Sequence, residues 1–152
     1  MLIIGEIWHY AGDFLEGDEW DTVMNYPFYL NLIDLLADEK INVSQFVQNL
    51  GYLKGRLNKK CYPLMWNLID SHDTARFLHL CHDNKKKQHL AAAFQLLLPG
   101  MPMVYYGDEY AMPGANDPDC RRGMYWMRNT RTRRCIIGIK SSCRLEKHMH
   151  AS

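Results

Sequence analysis

Long apolar runs are missing from this 152-residue chain. None approaches the ~20 residues that cross a bilayer, so no membrane-spanning helix is predicted. A basic leader is missing too: Met1-Leu-Ile-Ile-Gly-Glu6 meets an acid too soon to read as a signal peptide. Cysteine is sparse and poorly spaced for cross-linking. Cys61, Cys81, Cys120, Cys135 and Cys143 are odd in number and form no CxxC, which argues against both a disulfide framework and a zinc site. Scattered free thiols fit a reducing cytoplasm. Charge of either sign is balanced to +1, so no global field points to nucleic acid or to a membrane surface. What the chain has is ordinary: 47% hydrophobic residues over 152 positions, enough for the core of one domain.

The balanced total conceals a split. Residues 127–152 carry seven basic groups (Arg128, Arg131, Arg133, Arg134, Lys140, Arg144 and Lys147) against the single acid Glu146. Removing that +6 from the total of +1 leaves −5 for residues 1–126. Such a shift marks a tail of different character.

Along residues 1–126, β-prone runs end in polar loops. Leu2–His9 reads as a buried strand that runs out near Glu6, and Asp21–Asn25 as a second, stopped by Tyr26-Pro27. Phe28–Ala37 is predicted helical. A second helix starts at Ser44, with Phe46, Val47, Leu50 and Leu53 on one face. Met65–Ile69 is a third strand, halted at Asp70-Ser-His-Asp-Thr74. A short helix over Ala75–Cys81 and a longer one over Lys85–Leu98 follow, the latter with Leu90, Phe94, Leu97 and Leu98 as its buried stripe. Met103–Tyr106 is the fourth strand. Strands alternating with helices imply parallel pairing and right-handed crossovers. The fold class is therefore α/β, and four such strands make half of a closed eight-stranded barrel.

In a β/α barrel the chemistry sits at the carboxyl ends of the strands. Glu6 stands there among Ile7, Trp8 and His9, surroundings that would raise its pKa and suit a general acid. A salt-bridged strand-end carboxylate is the plainer reading. His72 and Asp73 stand at the third strand end, a donor beside a carboxylate, although Asp73 read alone would cap the following helix. A metal centre on His72 and Asp73 is not predicted, because His79 and His82 follow on a helix rather than at strand ends.

Five segments, GEIWH, DTVMNYPF, NLIDSHDTARF, LLPGMPMVYYGDEYAM and NDPDCRRGMYW, occur in order from Leu2 to Trp126. Together they resemble the α-amylase family of glycoside hydrolases, in its neopullulanase, cyclomaltodextrinase and maltogenic amylase branch. The resemblance implies a partial (β/α)8 TIM barrel, roughly the C-terminal half, with residues 1–126 covering strands five to eight. It implies a retaining α-glucan hydrolase acting on cyclodextrins, pullulan or maltooligosaccharides. Glu6 matches the general acid/base and Asp73 the carboxylate that stabilises the oxocarbenium-like transition state. His72 matches the histidine that binds sugar at the cleavage subsite. Trp8 and His9 would line the same cleft, and Asp117 with Arg121 match a pair that holds the glucan further along. Without the resemblance, Asp117 and Arg121 read as an ion pair within a loop. No cofactor is implied, and a family calcium site, if any, would lie outside this fragment.

Retaining hydrolysis also needs a nucleophilic carboxylate about 5–5.5 Å from the acid. The family carries it in a pattern like D-G-x-R-x-D at the end of strand four, and no such pattern occurs here. The 152 residues alone are therefore expected not to hydrolyse glucans; the rival class is a non-catalytic carbohydrate-binding or structural remnant. The expected partners are an α-glucan, and either the missing N-terminal half or a second copy of the chain. The tail, 127–152, departs from the family and reads as disordered. A single-base slip accounts for it: loss of one G turns a Trp-Asp-Glu reading at Trp126 into Trp-Met-Arg. A nucleic-acid-binding arm is the competing reading.

Overall fold

The computed structural model describes residues 1–17 and 19–124. Trp126, the tail at 127–152 and its expected frame slip lie outside the described residues. The described residues divide into two compact units, one of residues 1–68 with 99–103 and one of residues 69–98 with 104–124.

The first unit holds the four strands found among the described residues: β1 (Ile4–Gly5), β2 (Thr22–Val23), β3 (Trp66–Leu68) and β4 (Met101–Met103). All pairings are parallel. Ile4 pairs with Thr22 and Gly5 with Val23, Met24 bridges to Trp66, and Trp66, Asn67 and Leu68 pair with Met101, Pro102 and Met103. The strands therefore neighbour one another in chain order. A buried amide pair helps to set this register: Asn25 Nδ2 donates to Asn67 Oδ1 at 2.8 Å, and Asn67 Nδ2 donates to Pro99 O at 3.2 Å. On β1, Leu2, Ile3 and Ile4 stay exposed, an apolar edge that no described residue covers.

Gly100, just before β4, is fixed by two constraints. Its φ is +138°, and a Cβ there would stand 2.4 Å from Asn67 Nδ2. Gly100→Ala is expected to lower stability by about 1–3 kcal/mol. The check is thermal denaturation, and an unmoved midpoint would show that Asn67 does not crowd this site.

Among the described residues between β1 and β2 there is only a 3-10 turn, Gly12–Phe14, where strict alternation would put a helix. After β2, α1 spans Tyr26–Leu32, beginning ahead of the predicted Phe28. Its start is well specified: the Asn25 side chain accepts from Phe28 N at 3.2 Å, and Pro27 occupies the first turn, where no N–H is needed. A π-turn, Ile33–Ala37, completes the predicted span. Next comes α2, Val43–Arg56, opened by a reciprocal cap in which Asn42 and Gln45 bond each other's backbone N–H. Phe46 and Leu53 of its predicted stripe are buried, but Val47 is exposed. Leu53 joins Ala11, Leu15, Val23, Leu57, Tyr62 and Met65 in one core cluster.

In the second unit, α3 is only Phe77–Leu80, shorter than predicted, because Arg76 adopts an extended conformation and turns its side chain inward. Asn84 caps α4, Lys85–Leu97, accepting from the backbone of Lys86 and Lys87. The buried face of α4 is Gln88, Ala91, Ala92, Gln95 and Leu96, whereas Leu90 and Leu97 are exposed. The predicted stripe weighed apolar residues alone. Small alanines and two glutamines with Leu96 make up this face, and Asp108 lines the same small cavity. Val104–Tyr106, predicted as strand, is instead loop in this unit. The carbonyl of Tyr106 accepts from Arg76 Nη1 at 2.6 Å rather than joining a ladder.

Candidate active site

In the first unit Glu6 follows the last residue of β1, at the carboxyl end of that strand. It is exposed, not wedged among Ile7, Trp8 and His9 as the sequence suggested. Its Oε1 accepts from the hydroxyl of Tyr26 at 2.9 Å. Tyr26 is fully buried and stacks on Trp8, with ring centroids 4.4 Å apart and planes 15° off parallel. One phenol thus fixes both the carboxylate and the indole. His9 is exposed and its Nδ1 lies 3.1 Å from Tyr10 O, so it turns to its own loop. Sequence reasoning passed over Tyr26. The available signal was its position, immediately after a strand and before a proline.

The second unit gathers His72, Asp73, Asp117 and Arg121. Asp73 Oδ1 lies 3.3 Å from His72 Nε2 and 3.3 Å from Arg121 Nη2. Arg121 Nε reaches Asp117 Oδ1 at 2.7 Å and donates to the His72 carbonyl at 3.0 Å. The loop is pinned from behind: Ser71 N donates to Thr74 Oγ1, and Asp73 N donates to Ser71 Oγ. Asp73 does not cap a helix. That role falls to Asp70, whose Oδ1 accepts from Phe77 N, the first residue of α3.

Beneath this loop lies a buried charge cluster that sequence reasoning missed. Arg76 is 0% exposed. Its Nη1 donates to Tyr106 O and lies 3.3 Å from Asp108 Oδ1, its Nε donates to Cys120 O at 3.2 Å, and its backbone N–H bonds Gly114 O. Its guanidinium carbon stands 4.6 and 4.8 Å from the ring centroids of Tyr105 and Tyr106. Asp70 and Asp108 are both buried, and each acts on the titration of the other. Burial, then the charge of Asp108, pushes the Asp70 carboxyl well above the usual carboxylate range. Burial also pushes Asp108 up to about 6, against the hydrogen bond from Asp70 and the charge of Arg76. The two directions agree on one arrangement. Asp70, held well above the ordinary range, keeps its proton, and Arg76 balances the charge of Asp108. Through Arg76 the cluster holds Cys120, whose neighbour Arg121 holds Asp73. The overlooked signal was an arginine set between Ala75 and Phe77 in an apolar run.

Among the described residues no group of three or more His, Cys, Asp or Glu side chains is placed to hold a metal ion, and no helix is long and apolar enough to cross a membrane.

The family described as "Alpha amylase, catalytic domain" matches residues 1–144. The chain belongs to the α-amylase catalytic-domain family. Within that family it is 43% identical over 151 residues to neopullulanase 2 of Thermoactinomyces vulgaris, covering 99% of this chain and 26% of that protein. It is 45% identical over 125 residues to a cyclomaltodextrinase of Thermoanaerobacter pseudethanolicus, covering 82% of this chain and 22% of that protein. Among solved structures, the cyclic α-maltosyl-(1→6)-maltose hydrolase of Arthrobacter globiformis superposes with a TM-score of 0.91 at 34% identity, over 97% of this chain and 33% of that one. Its solved neighbours are TIM-barrel enzymes of the α-amylase family, and the chain matches a part of that fold. The chain spans about a quarter of the length of the curated relatives it matches.

Proposed function

We propose that this chain is the C-terminal half, strands five to eight, of the catalytic barrel of a retaining α-glucan hydrolase. Glu6 is its general acid/base, Asp73 its transition-state carboxylate, and His72, Trp8, His9, Asp117 and Arg121 its sugar-holding side chains. The observation that carries this reading is Asp73 itself. It is an exposed carboxylate in the loop after β3, oriented through one oxygen by His72 and Arg121, as a group that steadies an oxocarbenium ion should be. Glu6 supports it, as an exposed carboxylate at the end of β1 whose Oε1 is fixed by a buried phenol. The names of the relatives point to cyclodextrins, pullulan or maltooligosaccharides as substrates. Parallel strands neighbouring in chain order fit a run of consecutive barrel strands, and the exposed Leu2–Ile4 edge fits a fifth strand built to pair with a fourth.

No carboxylate in the 152 residues matches the nucleophile pattern, so the chain by itself does not turn glucans over. It becomes active with the first half of a barrel supplied by a relative. The chemistry assigned here uses no cofactor. Free thiols at Cys61, Cys81 and Cys120 fit a reducing cytoplasm. Residues 127–152 are assigned to a frame slip, and the nucleotide sequence decides that: a single-base change must restore a family-like helix.

The functional test is complementation. Mixing the chain with the strand one-to-four fragment of a cyclomaltodextrinase is expected to give cyclodextrin and pullulan hydrolysis that neither piece has alone. Glu6→Gln should abolish that turnover by about a thousandfold or more. Turnover that survives Glu6→Gln, or turnover by the chain unaided, would refute the assignment.

A further inference from the structure

We propose that the second unit holds one internal water molecule, bound by Gln88 and His89 of α4 and shared with Asp108. None of these three residues has a role in the glucan reading. A small cavity is lined by Gln88, His89, Ala92 and Asp108 among others, all from the second unit. It offers the centre of a water-sized sphere about 10 Å³. One water needs ~10–15 Å³ by the same measure. A second water, or any larger ligand, is therefore too big.

The polar atoms at this cavity call for a partner. Gln88 is only 2% exposed. Yet neither its Nε2 nor its Oε1 meets a hydrogen-bond partner among the described residues, and the same is true of the buried Nε2 of His89. Exchanging the nitrogen and oxygen of the amide leaves both atoms unmet, so the deficit does not depend on which way the amide is turned. A buried amide or imidazole nitrogen without a partner is costly, because it has given up its bonds to bulk solvent. Three such atoms on two adjacent residues, both lining one cavity, are best explained by a ligand that bonds them all.

Polarity selects the ligand as firmly as size does. The amide presents a donor and an acceptor side by side. A bare cation would be repelled by the amide N–H, and a small anion by the amide oxygen. Water alone at this size both accepts and donates. It can accept from Gln88 Nε2 and donate to Gln88 Oε1, which leaves one proton and one lone pair. His89 Nε2 can use either, according to its tautomer. The carboxylate of Asp108 lines the same cavity and can accept the remaining proton. A buried water typically makes about three such bonds. Through this water α4 is tied to Asp108, the residue that meets Arg76.

Two measurements on the 152-residue chain test the site. The first is a high-resolution crystal structure. It is expected to show one solvent peak within ~2.7–3.2 Å of the Gln88 amide and of His89 Nε2. A map with no such peak, or with the Gln88 amide paired directly to protein, overturns the proposal. The second is magnetic relaxation dispersion of the solvent water, which counts molecules held long inside the protein. Gln88→Met keeps the length of the side chain and removes both polar atoms. It is expected to lose one long-lived water and to lower the urea midpoint. A dry cavity predicts the opposite sign, since the methionine would relieve two unbonded atoms. An unchanged water count or a raised midpoint therefore also overturns the proposal. If Gln88→Met does not fold, the wild-type map decides alone.

Discussion

Replacing Arg76 with methionine is expected to remove about 3–5 kcal/mol of stability, the loss typical when a buried ion pair is broken from one side. That is a large share of the ~5–15 kcal/mol that holds a domain together. The substitution keeps most of the volume and removes the charge. Asp108 would then be a buried carboxylate without its counter-charge, and the carbonyls of Tyr106 and Cys120 would each lose a donor. Both kinds of loss are costly because the groups cannot turn to water. Arg121→Met is the matched control. It removes the same charge from an exposed site, where ion pairs contribute ~1 kcal/mol or less. Urea denaturation of the two variants makes the comparison. Equal losses would mean that Arg76 is not the centre of the second unit's interior.

The second large effect is a fall in stability as pH rises. Both Asp70 and Asp108 have folded-state pKa values above the ordinary one, which is the reverse of a salt-bridged surface acid. Between the unfolded value near 3.8 and the folded values, the native chain holds protons that the unfolded chain has released. Stability contributed by this pair is therefore fully present below about pH 4 and declines as pH rises through about 6 for Asp108, and further as Asp70 titrates. Each unit of upward shift corresponds to ~1.4 kcal/mol above the folded value. The groups facing the pair are Arg76, which opposes the rise, and Glu109, which adds to it at Asp108. Asp70→Asn supplies a permanent donor in place of the retained proton, so it should flatten the upper part of the slope at little cost near neutrality. Asp108→Asn strands Arg76 and should be the more damaging change. Urea midpoints for the wild type and both variants from pH 5 to 8 decide the matter. A wild-type midpoint that climbs over that range would sink the proton assignment.

How much of this was legible in the sequence depended on the kind of signal. Strand ends could be read, because an apolar run meeting Glu6 or Asp70-Ser-His-Asp needs no knowledge of partners. The helices predicted over 28–37, from 44 and over 85–98 stand at 26–37, 43–56 and 85–97, while their caps, Asn25, Asn42 and Asn84, came only from the structure. What escaped was non-local. The inward face of α4 is made of alanines and glutamines with Leu96, a mixture that a tally of leucines passes over. The Tyr106 carbonyl, predicted to lie in a strand, is instead claimed by an arginine far back in the chain. Tyr26 read as a strand stop and proved to be a ligand of Glu6. Arg76 read as one more helix residue, since periodicity cannot say that a guanidinium will be enclosed by two tyrosines and two backbone carbonyls.

Asp73 is oriented through a single oxygen by two neighbouring cationic or proton-bearing groups, and all three side chains stand in solvent. A glucan carries no charge, yet the carboxylate proposed to steady it owes its aim to ionic contacts that dissolved electrolyte loosens. Through that one oxygen, an uncharged sugar becomes sensitive to the ionic strength of its surroundings.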